Sequence, residues 1–350
     1  MSTWMPIFTV ERSGRPELVV SGIVSVVEGN ANGKPAQLLA LGDVDQQLWS
    51  RSLLKPWQLL SNLPLLKEAY PTLQDRHCAV ISASHNAESE HLCVLRELLD
   101  MGRLSEESLK CPASMPLHAE TRVKFRQEGF NPRPLFHNCS GKHIGYLLAL
   151  KAQNGSLEKY LDPTGEHFAP LRNLLGALLN RSPSSFDVTT DGCRIPNYAM
   201  SAYEMASLYR SLVVPKVVDL LANVPEDLEP MLKIYGDLQK IIVAHPELVG
   251  GTARVDTNIM LGNVAQLNFA EKLVAKQGAD GLLAIGIPAN PKYPYGIGIL
   301  IKLASGFVEK YMELIVQELF KQLSLVEDLT KRSDDSQSHI KTIFHFHIAD

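Results

Sequence analysis

Strands gathered at the front of the chain, helices through its middle and a hairpin near its end predict an α/β (α+β) fold. Its expected architecture is a mainly antiparallel sheet flanked by helices. Three observations carry this: β-rich runs across residues 6–45, a mostly helical pattern across 165–224, and two apolar runs split by a proline-rich turn across 281–303. The chain is 350 residues long, enough for one large α/β unit or about two smaller domains. We read residues 1–330 as a single catalytic unit and 331–350 as a tail without an assigned role.

Each element follows in order. Pro6 to Val10 is a first strand. Glu17 to Val27 is a second, carried by Leu18-Val19-Val20 and Ile23-Val24-Ser25-Val26-Val27. Asn30-Ala31-Asn32-Gly33 marks a turn, and Gln37 to Ala40 opens a third strand. Ser52 to Tyr70 has helical spacing, with Leu53, Trp57, Leu60 and Leu65 apolar. Cys78 to Ala83 reads as a short apolar strand, followed by polar Ser84 to Glu90 and a helix from His91 to Met101. Asn138 precedes a helix that Gly155 stops. The polar elbow Thr189-Thr190-Asp191-Gly192-Cys193 interrupts the helical middle. Gly281 to Ile287 and Gly296 to Leu303 form the late hairpin, and Phe307 to Leu323 an amphipathic helix. The tail from Lys331 is polar, then apolar at Ile343-Phe344-His345-Phe346.

Composition narrows the function. Hydrophobic residues are 45% and charged residues 21%, the balance of a globular chain. Lys plus Arg is 34 against 38 for Asp plus Glu, so no basic excess is available to neutralise nucleic-acid phosphates. No apolar run approaches the ~18 residues of a membrane span. Met1 to Gly14 lacks the charge pattern of a leader, so a soluble, cytoplasmic protein is expected. Five cysteines are an odd, sparse set and no disulfide framework.

Several familiar motifs fail. Ser140-Gly141-Lys142-His143 is not a phosphate loop, because position 136 is Phe and position 143 is His. Gly296-Ile297-Gly298 lacks the third glycine of a dinucleotide fingerprint, and no H-E-x-x-H occurs. ATP, NAD and thermolysin-like chemistry are unsupported.

Ser52-Leu53-Leu54-Lys55 matches S-x-x-K. Positions i and i+3 share a helix face, and a desolvated lysine with a lowered pKa can take a serine's proton. Ser156/Lys159 and Ser338/Lys341 match too, but lie in polar stretches. Ser52 is otherwise a helix-start hydroxyl. Ser82-Ala83-Ser84-His85-Asn86 lines a site or simply caps the next helix. His85, Glu88 and His91 are a second conceivable metal set, set against a plain helix-surface role. His137-Asn138-Cys139-Ser140-Gly141-Lys142-His143 is the densest reactive cluster. With Cys193 it supplies two thiolates and a nitrogen that suit zinc; the alternative is a pair of buried thiols beside a capping Asn.

Together these segments resemble the thermolabile, rhizobial-type L-asparaginase family (asparaginase II-like, class 3) from about Pro6 to Leu303. The resemblance rests on Arg51-Ser52 with Lys55-Pro56 and Gln58, and on Ala83-Ser84-His85-Asn86-Ala87-Glu88 with His91. It rests further on the Asn138-to-His143 run, Asp191-Gly192-Cys193 with Pro196, Gly250-Gly251-Thr252 with Arg254, Asp256 and Thr257, and Ala275 to Gly281. The chain departs at Trp57, where Phe is usual, and at Arg194 and Ile195, where small residues are common.

The resemblance implies a fold similar to serine β-lactamases and glutaminases, and a homodimer. It implies hydrolysis of L-asparagine to L-aspartate and ammonia. Ser52 and Lys55 match the first Ser-Lys pair, Ser84 and Lys276 the second. Cys139, Lys142 and Cys193 match the ligands of one zinc ion per subunit. Arg51, His143 and Asp191 match positions near the substrate, with His85 grouped beside them. Two rivals stand: a glutaminase or other S-x-x-K acylase, and a zinc-stapled binding protein without catalysis. No nucleic-acid or membrane partner is expected.

Overall fold

A computed structural model describes residues 3–216, 221, 225–326 and 340–344. Ser338 and most of the tail lie outside the described residues. In chain order the strands are β1 (Met5–Arg12), β2 (Arg15–Gly29), β3 (Pro35–Leu41), β4 (Gln47–Trp49), β5 (Val188–Thr190), β6 (Pro196–Ser201), β7 (Val274–Gln277), β8 (Leu282–Ile287), β9 (Ile297–Leu303) and β10 (Ile340–Phe344). The helices are α1 (Lys55–Leu60), α2 (Leu63–Ala69), α3 (Asp75–Ile81), α4 (Ser89–Met101), α5 (Ala119–Gln127), α6 (Ser140–Ala152), α7 (Ala169–Leu179), α8 (Ala202–Val213), α9 (Glu229–Lys233), α10 (Asp237–Ala244), α11 (Pro246–Val249), α12 (Val255–Met260) and α13 (Met312–Gln322). The chain divides into a unit of Met1–Leu48, Met200–Val217 and Asn258–Asp350, and a unit of Trp49–Ala199 and Val218–Thr257.

The first unit is built on a seven-stranded antiparallel sheet in the order β10-β1-β2-β9-β8-β7, with β3 also on β2. Fifteen-residue β2 organises it. One edge pairs with β9 from Gly22 to Glu28. The other edge takes β1 along its first half and β3 along its second. The valine-rich pattern explains this length: Val24, Val26 and Val27 are fully buried, and β-branched side chains suit a pleated surface. The late hairpin forms as β8 and β9, with Ile285 opposite Ile299. The last described strand, β10, closes the edge on β1, with Phe8 opposite Phe344.

Helix α8 packs across β2, β8 and β9. Its Ser201 N-cap accepts from the Glu204 N–H while the Glu204 carboxylate accepts from the Ser201 N–H, a reciprocal cap. Arg210 on this helix is buried and donates to the carbonyls of Gly33 and Tyr295. A Cβ at Gly29 would stand 1.9 Å from this guanidinium, so glycine makes room for it.

The second unit is mainly helical. The expected helix over Ser52 to Tyr70 is three pieces: a 3₁₀ turn at Arg51–Leu54, then α1, then α2. Pro64 sits in the first turn of α2, where a missing N–H is tolerated, and it could not continue α1. The strand expected at Cys78 to Ala83 is instead helix α3 and the turn after it. Gln74 and His77 cap its start reciprocally, and the short apolar run carries no period that separates a buried helix from a strand. The middle is less helical than expected, because β5 and β6 pair across the elbow, Val188 opposite Tyr198. Helix α6 is buried along nearly its whole length and packs against α1, α2, α3 and α4.

Candidate active site

Lys55 opens α1 and is fully buried. Its Nζ touches three oxygens: the carbonyl of Ala83, the carbonyl of Asn138 at 3.4 Å and the hydroxyl of Ser84 at 3.0 Å. Burial drives the amine below its ordinary pKa, against the pull of the nearby Cys139. The amine donates to the two carbonyls and to the Ser84 hydroxyl, with the Cys139 thiol also near.

This differs from the pairing the spacing suggests. Among the described residues the Ser52 hydroxyl makes no hydrogen bond, although it stands one turn before Lys55. All three are buried, with Ser52 at 8% exposure the least so, against 1% for Ser84 and 0% for Lys55. Ser84 is held in place by its N–H donating to the Val249 carbonyl at 2.9 Å. Lys276 lies in the other unit, buried on β7, with its amine donating to the Gln277 carbonyl at 3.3 Å.

The backbone before Ser52 is strained. Arg51 has φ +49°, a left-handed conformation that costs a non-glycine residue roughly 1 kcal/mol or more. Two contacts hold it there. Its N–H donates to Asn197 Oδ1 at 3.2 Å, and its Nε donates to Asp191 Oδ1 at 2.8 Å. The β5–β6 elbow that supplies Asp191 is folded on itself: Asp191 N–H to Ile195 carbonyl, Arg194 N–H to Asp191 carbonyl, and Gly192 N–H to Asp191 Oδ1. Cys193 sits at the tip of this turn.

The elbow brings Cys193 to Cys139, the residue just before α6. The neighbouring Cys193 thiol and the Lys55 and Lys142 amines hold the Cys139 thiol well below its usual range, against burial, while Cys139 and burial push Cys193 up. Burial alone would lower Lys142, but the neighbouring thiols outweigh it and keep the amine above its ordinary pKa. Two sulfurs and a nitrogen therefore converge at a buried point that favours positive charge, and this donor set fits a zinc ion. Among the described residues no group of three or more His, Cys, Asp and Glu is arranged to hold a metal; the cluster has two thiols and a lysine. The close approach behind it requires Gly141, whose Cβ would stand 2.2 Å from the Val80 carbonyl.

The histidines divide. His85 Nδ1 accepts from the Ala87 N–H at 3.1 Å, so its Nε2–H faces the Ser140 hydroxyl at 2.9 Å, which passes on to the Leu135 carbonyl. Both ring nitrogens are used within the chain, so His85 braces the loop before α4 against the start of α6. Burial keeps it neutral. Glu88 and His91 cap α4 reciprocally, and His91 Nε2 meets the Glu247 carbonyl at 2.9 Å, so this trio is no metal set. His143 Nδ1 meets the Tyr160 hydroxyl at 2.8 Å, while its Nε2 is buried without a partner among the described residues. Sequence reasoning passed over Tyr146, whose buried hydroxyl is likewise without a partner among the described residues, and Tyr198, which has the Arg172 guanidinium beside it. Tyr146 had one signal: it stands one helical turn after His143.

No helix of the described residues is long and apolar enough to cross a membrane. A family model described as L-asparaginase II matches residues 8–345, nearly the whole chain. No curated protein matches. Among solved structures, a probable glutaminase from Bacillus subtilis complexed with 6-diazo-5-oxo-L-norleucine is similar at 12% identity and TM-score 0.37, over 87% of this chain and 85% of that one. A Bacillus glutaminase in 4.3 M NaCl is similar at 13% identity and TM-score 0.37, over 87% and 92%.

Proposed function

The chain belongs to the L-asparaginase II family, and from that premise we propose that it hydrolyses L-asparagine to L-aspartate and ammonia. The observation that carries the chemistry is the buried Lys55 amine, hydrogen-bonded to the Ser84 hydroxyl at 3.0 Å and one turn from Ser52. A serine needs a base, and a lysine whose pKa burial lowers can serve as one.

In this reading the Ser52 oxygen attacks the side-chain amide carbon, and its proton ends on Lys55. The C–N bond breaks, ammonia leaves carrying a proton returned by the amine, and a β-aspartyl ester remains on the serine. Water then attacks the ester, Lys55 takes its proton, and L-aspartate departs as the serine is reprotonated. Arg51, fixed by Asp191, presents a cation beside the nucleophile for the substrate's carboxylate. Cys139, Cys193 and Lys142 would hold zinc. When bound, it would supply fixed positive charge that orients the substrate's polar groups.

A second reading has its own observation. The Lys55–Ser84 hydrogen bond favours Ser84 as the nucleophile, with Ser52 as its neighbour. Ser52→Ala and Ser84→Ala proteins, each shown to be folded, separate the two by ammonia release and by mass spectrometry of the trapped acyl-enzyme. Loss of the ester in Ser52→Ala alone supports the first reading; an ester still formed there, and absent in Ser84→Ala, overturns it. Turnover of L-glutamine faster than L-asparagine would replace the substrate with that of a glutaminase. A protein releasing ammonia from neither would be a binding protein.

A further inference from the structure

Two of the three oxygens around the Lys55 amine, the Ala83 carbonyl and the Ser84 hydroxyl, sit in the loop between α3 and α4. The third, the Asn138 carbonyl, also accepts from the His85 N–H at 3.2 Å. Residues 83–88 form neither helix nor strand, so no regular ladder of their own fixes where those oxygens stand.

The loop is held instead against α11 and the residues that follow it. The Ser84 N–H donates to the Val249 carbonyl at 2.9 Å. Further along, side chains take over. Asn86 Nδ2 donates to the Thr252 carbonyl at 2.9 Å, and the Thr252 N–H donates to Glu88 Oε1 at 3.0 Å. Asn86 Nδ2 also donates to Glu88 Oε1 at 3.2 Å, which ties the two grips together. Both backbone groups of Thr252 are thus taken by side chains two positions apart. Thr252 is exposed and its bond to Glu88 lies at the surface, where water could replace the carboxylate. Such a bond adds little stability; what it supplies is position.

Two backbone features show the same demand. Ala87, between Asn86 and Glu88, has φ +56°, which a residue with a Cβ keeps only where its surroundings over-determine it. Gly251 has φ +123°, and a Cβ there would stand 2.6 Å from Asn86 Nδ2, so glycine lets the two loops close on each other.

We infer that Asn86 and Glu88 are positioning residues for the Lys55 amine: by gripping Thr252 they fix the loop whose Ala83 carbonyl and Ser84 hydroxyl surround it. This rests on the amidohydrolase reading and holds whichever serine is the nucleophile, since both use Lys55. Neither residue bonds the amine; they act through the loop.

The test compares Glu88→Ala, Glu88→Gln and Asn86→Ala by steady-state ammonia release from L-asparagine, with circular dichroism and a thermal melt to count folded protein. Glu88→Gln keeps an oxygen for the Thr252 N–H, and Glu88→Ala removes it. In Glu88→Ala kcat should fall about ten- to a hundred-fold with KM within about two-fold of wild type, the scale on which a small misplacement of a catalytic group is felt. Glu88→Gln should recover to within about three-fold of wild type. Asn86→Ala should lower kcat at least as far as Glu88→Ala; if this fully buried substitution does not fold, the Glu88 pair decides alone. A merely structural role would lower the melting temperature of Glu88→Ala and leave kcat per folded molecule at the wild-type value, and that result overturns the inference. So does a rise in KM at constant kcat, which would make Glu88 a substrate contact, and so does a Glu88→Gln protein as slow as Glu88→Ala. Wild-type protein that releases ammonia from neither L-asparagine nor L-glutamine overturns the amidohydrolase reading itself.

Discussion

Two buried basic side chains, Arg210 in one unit and Lys55 in the other, are used differently. Arg210, on α8 of the sheet unit, ends on the carbonyls of Gly33 and Tyr295, in the turns that follow β2 and β8. Burial lowers its pKa, but a guanidinium does not give up its proton in a protein. With acceptors that have no proton to exchange, it bolts two turns to a helix. Lys55, in the helical unit, has two such carbonyls and one hydroxyl, and two thiols and a second lysine lie near. Its amine can lose its proton and regain it, and its neighbour can supply one. The lesson is that burial of a cation does not by itself mark a site. A titratable head facing an exchangeable proton does.

The largest expected effect falls on that distinction. Lys55→Met keeps the apolar stem and removes the base, and kcat should fall by roughly 10²–10⁴-fold, the usual worth of a positioned base. Steady-state ammonia release, with a thermal melt to show the fold, reads it. Wild-type turnover in Lys55→Met would reduce this lysine to a bolt of the Arg210 kind. The mirror experiment is Arg210→Met. It should leave kcat per folded molecule intact and cost about 2–4 kcal/mol of stability, because carbonyls and a cavity are left behind. Urea unfolding measures it; a collapse of kcat in well-folded Arg210→Met would erase the contrast.

A smaller effect belongs to the thiols. Cys193→Ser should lower zinc content and raise KM about ten-fold with a lesser change in kcat, if the metal orients substrate. Because the ligands must lose protons, zinc content of the wild type should fall on acidification. Elemental analysis beside kinetics decides: kcat lost by orders of magnitude at constant KM makes the metal catalytic, and wild-type protein without zinc makes the thiols structural.

The smallest effect is at the surface. Partial burial pushes the Asp237 carboxyl up, but hydrogen bonds from Lys67 and Lys240 outweigh it and hold it below the ordinary value. A depressed carboxylate stabilises the fold above its unfolded pKa, and that contribution disappears as pH falls below about 4. Asp237→Asn should therefore cost at most a few tenths of a kcal/mol, about what solvent screening leaves to such a pair, at neutral pH, and nothing in acid. Paired melts at two pH values read it. A large neutral-pH loss would show that an exposed ion pair can matter as much as the buried cations.

Residue identity and short-range pattern were enough for much of this protein. The valine-rich stretch specifies β2, the two apolar runs around Pro288 to Tyr295 specify β8 and β9, and the reactive residues before α6 and in the elbow are named by their types. Local pattern works there because a strand's alternation and a turn's residues act within a few positions. It failed at Cys78 to Ala83, where a run buried on all sides carries no period. It also failed for the partner of Lys55. The i, i+3 spacing offers Ser52, but the lysine stem is long and its head goes where acceptors are. The carbonyls of Ala83 and Asn138 draw it to Ser84, 29 positions away. The meeting of Cys139 with Cys193, and the Tyr146 hydroxyl left without a partner among the described residues, have the same origin. Hydrogen bonding and desolvation act through space, and only the folded chain decides which groups share a buried volume.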